Sequence, residues 1–412
     1  MFFLSLGLIL VFGVILGYLL NKINLPSLIG YLLIGIFLGY FGLIDQSVLD
    51  ISSEIRKIAL IIILIKAGLT LNMDDLKKVG RPAILMSFVP AVFEMISFGL
   101  FAPFFFNLTY NESFLMGACI GAVSPAVVVP RMVRMIEEGK ETKKGIPQLI
   151  LAGSSMDDIV MIIFYTAFLT IEKGGSIGAL TFLNIPISII SGVLVGLILG
   201  LLLVLIFKHI HIRDSIKLAL LFGSAFLLVY LESFLSTWFS YSSLLSSITI
   251  GLVILAKRKN VATRLSNKCS KLWVVAEIFL FTLVGASIRL EYFSTYFVPA
   301  IILILIGLLI RLSGVFLSLI KTNLTLKERA FVAVAYMPKA TVQAAIGGGL
   351  LDLGQNMNNE IIISAGIIVL SVSVVSILIT APIGAILTDF LSKKLFLPEK
   401  TTITTPNLSD NS

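Results

Sequence analysis

SPAVVVP, residues 124–130, lies in the middle of an apolar run, and MPKATVQ, residues 337–343, repeats its outline 213 positions later, aligning Pro125 with Pro338. Proline removes a backbone donor and clashes with the preceding turn. Pro125 and Pro130 are therefore expected to break one apolar stretch, and Pro338 the other. A single kinked helix is ordinary in a membrane protein. Two breaks at matching positions instead predict discontinuous helices whose half-helix ends face a midplane ion site.

Further matches run in the same order. SLIGYLLIGI (27–36) pairs with SLLSSITIGL (243–252) at an offset of 216, and KAGLTLNMDDL (66–76) with LVGASIRLEYF (283–293) at 217. LAGSSMDD (151–158) pairs with SAGIIVLS (364–371) at 213. Each match is weak alone, but their collinear order is hard to obtain by chance.

The rest of the chain supplies the membrane. Of 412 residues, 58% are hydrophobic and 13% charged, with a mean hydropathy of +1.05, which excludes an ordinary soluble domain. Apolar runs of roughly 17–25 residues, enough for a helix to cross about 30 Å of hydrocarbon, give about thirteen spans. Their limits are 2–20, 25–43, 55–71, 82–106, 113–136, 145–171, 185–207, 215–231, 240–256, 272–288, 296–320, 328–351 and 360–391. The offsets relate spans seven apart, and an odd number of crossings inverts one half against the other. The expected fold is an all-α polytopic membrane protein with inverted repeats, spans 1–6 and 8–13, and two crossed discontinuous helices.

The first run has no basic residue before it and reads as a retained span. Cys119 and Cys269 are isolated and read as packing residues. The net charge of +8 has no nucleic-acid partner to serve in such a chain, and no cofactor motif occurs. Its distribution sets orientation: with the N-terminus outside, the inner loops hold Lys77, Lys78, Arg131, Arg134, Lys143, Lys144, Lys257, Arg258 and most other bases. Only Arg56, Lys57, Lys173 and Arg289 stay outside. The expected location is the cell membrane, with a cytoplasmic C-terminus.

SSMDDIVM, residues 154–161, places Asp157 and Asp158 roughly 18–20 Å into span 6, near the bilayer centre. Buried acids there are costly unless protonated or paired, so a purely structural role is disfavoured. Adjacent helical positions differ by about 100°, so the two carboxylates have different surroundings and different roles. A carboxylate accepts either a proton or a hard cation, and the two then compete. Ser124, Ser154 and carbonyls exposed at the helix break are candidate oxygen ligands, with packing as the alternative for the serines. Thr341 can line the same site; Gln343 can do so or bond within the bundle. Leu370 and Ser371 align with the aspartates, so a single asymmetric site is expected.

Lys339 can compensate the negative half-helix ends, pair with Asp157, or snorkel. Glu94 and Arg311 lie mid-span, 217 residues apart, at the offset of the neighbouring glycine motif, which predicts an intramembrane ion pair. Lys66 reads as a snorkelling residue near a span end, and His209 and His211 as interfacial residues.

MDDIV, GAVSPAVVVP and MPKATVQAAIG together resemble the sodium/proton antiporters of the monovalent cation/proton antiporter superfamily, in the double-aspartate branch, and MPKATVQAAIG, the most specific of them, resembles the NHA group. The resemblance covers essentially the whole chain. It implies elevator-type exchange of protons for Na+, with Li+ as a further substrate, by a homodimer in the lipid bilayer. Asp158 would be the main carrier and Asp157 its partner, together forming the Na+ site. It also implies scaffold helices in 1–81 and 213–290, a connector in 172–212, a mobile core in 82–171 and 291–397, and a disordered tail in 398–412. Arg311 stands where electrogenic bacterial members carry a lysine, while the NHA-like Arg and Glu pair maps to Arg311 and Glu94, so electroneutral exchange is open. Kef-type potassium exporters share the fold but add a nucleotide-binding domain, and only PEKTTITTPNLSDNS follows Leu397.

K+/H+ antiport remains an alternative. An intramembrane aspartyl protease needs acids on two facing helices, whereas these adjoin on one. A bile-acid-like symporter would use uncharged polar residues where Asp157 and Asp158 stand, and a channel needs no inverted halves.

Overall fold

The computed structural model describes residues 1–70, 80–138, 140, 144–174, 179–210, 212–235, 241–288 and 290–396. His211, the loop bases Lys77, Lys78 and Lys143, Arg289 and the tail 398–412 lie outside the described residues.

Helices α1 (Phe2–Lys22), α2 (Ser27–Tyr40), the short α3 (Gln46–Asp50) and α4 (Ser52–Thr70) cover the first three spans. The fourth is divided into α5 (Arg81–Met86) and α6 (Val89–Phe105), the fifth into α7 (Tyr110–Gly121) and α8 (Pro125–Glu137). The sixth to eleventh are α9 (Ile146–Lys173), α10 (Ala179–His209), α11 (Asp214–Leu235), α12 (Ser243–Lys257), α13 (Lys259–Ala286) and α14 (Leu290–Ser318). The twelfth is divided into α15 (Leu326–Ala335), α16 (Thr341–Ile346) and α17 (Gly349–Asn356), and α18 (Glu360–Leu395) is the thirteenth. Among the described residues, nine stretches are long and apolar enough to cross a bilayer, and α2 and α12 are apolar but shorter. This is a multi-pass membrane protein.

The inverted repeat is visible in its glycines. Gly35 of α2 abuts Gly285 of α13, and Gly68 of α4 abuts Gly251 of α12. Exchanging the two halves at offsets of 216 and 217 turns the first contact into the second. A Cβ at Gly285 would run into the Leu32 carbonyl and fall 3.0 Å from the Ile36 nitrogen, so the helices meet backbone to backbone. Gly285→Val should therefore lower stability by about 1–3 kcal/mol, read as a lower Tm in detergent. Gly7→Val, at a site with nothing within 4 Å, should leave it unchanged.

The same offset governs the broken helices. Thr109 and Glu112 form a capping box at the start of α7, and Thr325 and Glu328 form another at the start of α15. The Ser124 N–H donates to the Pro338 carbonyl at 2.8 Å, so the two breaks cross and touch. Pro125 and Pro338 are not equivalent, however. Pro125 opens α8, where its missing N–H is harmless, whereas Pro338 lies in the extended link between α15 and α16. Pro130 breaks nothing: α8 runs on through it, and the Arg131 guanidinium donates to the Val127 carbonyl at 2.7 Å in the disturbed turn.

Packing divides the helices into two groups. One comprises α1, α2, α4 and α10–α13; the other comprises α5–α9 and α14–α18. They meet where α10 packs on α9, and along a seam where α4 and α13 touch α16 and α2 touches α18.

Candidate functional site

Asp157 and Asp158 occupy the middle of α9 and, as neighbouring helical positions require, face different surroundings. Asp157 points into its own helix group and is fully buried. Its Oδ2 accepts from the Val123 N–H at 3.1 Å, inside the α7–α8 break, and from Arg311 Nη2 at 3.0 Å. Asp158 points into the seam, 8% exposed, in a narrow cleft between Leu60, Ile63, Leu64 and Ala67 of α4 and Val342 and Ala345 of α16.

Arg311, from α14, joins the groups around the crossing. Its Nη1 donates to Glu94 at 2.7 Å and to the Gly121 carbonyl, its Nε donates to the Tyr336 carbonyl at 2.8 Å, and Nη2 reaches Asp157. Gly121 ends α7 and Tyr336 follows the end of α15, so one guanidinium caps both first half-helices, where carbonyls lack N–H partners and the dipole is negative. Such a fork suits arginine and not lysine. Lys339, held at its backbone N–H by Thr380 Oγ1 at 2.9 Å, donates from Nζ to Glu94 and, at 3.4 Å, to the Gly121 carbonyl.

Charge therefore does not balance within this buried cluster. Glu94, Asp157 and Asp158 are three buried carboxylates set against two buried cations, Arg311 and Lys339. One further positive charge neutralises the cluster. Near it, Ser124 Oγ, Asp157 Oδ1, Asp158 Oδ1 and Thr341 Oγ1 are buried oxygens without a hydrogen-bond partner among the described residues. Ser154 Oγ donates to the Leu151 carbonyl at 3.3 Å and accepts no hydrogen bond among the described residues. A set of hard oxygens with one uncompensated negative charge fits a proton or a small monovalent cation as cargo.

A family model described as "Sodium/hydrogen exchanger, transmembrane" matches residues 7–384. The chain belongs to the sodium/hydrogen exchanger family. It is 34% identical to sodium/hydrogen exchanger 9B2 of Bison bison bison, over 94% of this chain and 75% of that protein. It is 32% identical to the human protein of the same name, over 94% and 74%. Among solved structures, the sodium proton antiporter MjNhaP1 of Methanocaldococcus jannaschii superimposes with a TM-score of 0.80, covering 95% of this chain and 97% of that one at 23% identity. The fold is thus that of a known antiporter, and this exchanger is a cation/proton antiporter, a transporter and not an enzyme.

Three details of the exchanger differ from what its sequence suggests. Lys339 does not pair with Asp157 and does not snorkel; it meets Glu94, and Arg311 takes Asp157 instead. The ion pair of Glu94 and Arg311 exists, but as half of a four-residue network. The carbonyls at the end of α7 are not free ligands. Gln343 Nε2 lies 3.2, 3.1 and 2.9 Å from the carbonyl oxygens of Cys119, Ile120 and Ala122, so α16 caps α7 across the crossing. Gln343→Leu should therefore lower stability by about 1–3 kcal/mol, the cost of stranding a buried acceptor, read as a fall in Tm.

Glu277 of α13 escapes a reading centred on the proline breaks, although VVAEIFLF places an acid plainly within the tenth span. It lies within electrostatic reach of Lys66 of α4, which is half-buried. His209 bonds the Leu205 carbonyl at an exposed helix end, and Cys119 and Cys269 are buried free thiols.

Proposed function

We propose that this exchanger moves one Na+ against one proton, each in turn neutralising Asp158. The charge balance carries the reading: three carboxylates and two fixed cations are neutral with either cargo bound, so neither loaded form carries net charge across the membrane. Asp158 is the carrier because it alone of the three faces the seam, while Asp157 is engaged by Arg311 and Val123. Ser124, Ser154, Thr341 and Asp157 Oδ1 supply further oxygens for the dehydrated ion. The names of the relatives, sodium/hydrogen exchanger and sodium proton antiporter, support sodium as the cation, and Li+ fits the same oxygens.

The division into two helix groups supports an elevator. The group α5–α9 with α14–α18 is the mobile core and carries the site; α1, α2, α4 and α11–α13 form the scaffold, and α10 connects them. The apolar faces of Leu60, Ile63, Leu64 and Val342 let the core slide along α4 without exposing Asp158 to both sides at once. The exposed apolar face of α1, with Phe3, Val11, Ile15 and Tyr18, suits a homodimer in the cell membrane, and the loop bases favour an outside N-terminus.

The test is exchange in proteoliposomes with an entrapped pH dye, offering Na+, Li+ and K+ separately. Dequenching is expected with Na+ and Li+, at a rate indifferent to a clamped membrane potential. A response to K+ alone would overturn the sodium assignment, and a potential-dependent rate would overturn the one-for-one stoichiometry.

A further inference from the structure

Arg56 and Asp352 meet across the seam. Their Nη2 and Oδ1 lie 2.8 Å apart, yet Arg56 belongs to α4 and Asp352 to α17, in the opposite helix group. Arg56 is 5% exposed, and its Nε also reaches the Ser52 carbonyl at 3.4 Å. A charge buried to this degree is left uncompensated when its carboxylate partner moves away.

The pair lies in line with the ion site. On α4, Arg56 sits one turn before Leu60, which lines the cleft of Asp158. On the facing wall, Val342 and Ala345 line that cleft, and Gly348 and Asp352 follow at three- and four-residue steps. Arg56 and Asp352 thus lie along the same seam, about one to two helical turns nearer the face on which Met1 lies. Gly348 makes the room, since a Cβ there would run into the guanidinium. A second link between the groups, Lys173 with Glu232 at 3.5 Å, lies on the same face but is more exposed. At the opposite face, Asn24, Arg131, Asp389 and Lys393 line an open cleft of about 370 Å³ between the groups.

We propose that Arg56 and Asp352 form the gate that closes the Asp158 cleft toward the Met1 face and parts whenever Asp158 is exposed there. The proposal rests on the alternating-access reading above. Closed, the guanidinium places a positive charge in the path of a leaving cation. Parted, Asp352 presents a free carboxylate at the entrance and gathers cations from that side.

The gate is tested without relying on transport. In sealed vesicles, a cysteine at Ile63, inside the cleft, is offered a membrane-impermeant thiol reagent from the side of the N-terminus. The native thiols are buried and serve as the background. Arg56→Ala and Asp352→Asn should each raise the labelling rate at least tenfold, and Arg56→Lys should hold it near the parent rate; equal rates in all four proteins would overturn the proposal. Joining Arg56→Cys to Asp352→Cys with a cleavable bifunctional reagent should stop exchange, and cleavage should restore it. Full exchange while joined would overturn the gate, whereas absence of exchange in the parent protein would fail the transport reading and leave the labelling rates to decide.

Discussion

Asp158→Asn should lower Na+-dependent proton movement more than a hundredfold while the protein inserts and folds normally. The amide neither carries a proton nor offers a negative charge, so both cargoes lose their site in one change. Stability should hold or rise. Asp158 has no hydrogen bond through its Oδ1, and the variant removes a buried charge that the protein leaves uncompensated. Dye dequenching in proteoliposomes, with Tm measured on the same preparation, separates the two effects. Wild-type exchange from a well-inserted variant would remove Asp158 from the carrier role. Asp157→Asn should be milder in kind, because an amide oxygen can still accept from Val123 or Arg311.

Arg311→Gln should be the most destabilising single change, costing on the order of 3–5 kcal/mol, the range for breaking a buried ion pair. Arg311 serves two carboxylates and two helix-end carbonyls at once, and glutamine reaches at most a fraction of them. Glu94→Gln should cost a comparable amount by removing the carboxylate that Lys339 meets and leaving Arg311 with Asp157 as its remaining carboxylate. The double variant restores the charge balance and should recover part of the loss. Recovery should stay incomplete, because the Gly121 and Tyr336 carbonyls still lose their arginine. A double-mutant cycle on Tm in detergent measures it; strictly additive losses would contradict the coupling that the 2.7 Å contact requires.

Much of this arrangement is legible in the primary structure because membrane physics leaves few options. Charges at mid-bilayer are too costly to be incidental, so Asp157, Asp158, Glu94, Arg311 and Lys339 stand out against their apolar surroundings. Glycines at 35, 68, 251 and 285 mark backbone contacts that no larger residue permits. What the residues do not reveal is the partner of a long, flexible side chain. Lys339 has Glu94 and Asp157 within plausible reach, and the choice depends on the sub-ångström placement of the crossing. Gln343 offers no charge to mark it, and its role emerges when α16 is laid across the end of α7. Arg56 reads as an outer-loop base, and Asp352 falls just past a span limit 296 residues away, so nothing local joins them. The capping boxes at Thr109 and Thr325 were legible throughout in TYNE and TLKE, and they fix the repeat offset at the breaks better than the prolines do.

Sodium and a proton should compete for one carboxylate, Asp158. Calorimetric titration of the purified exchanger with Na+ across a pH series, in buffers of different ionisation enthalpy, measures that competition directly. One proton should be released per Na+ bound on the acid side, and the apparent affinity should fall about tenfold for each unit of decreasing pH there. Affinity independent of pH, with no proton released, would contradict it.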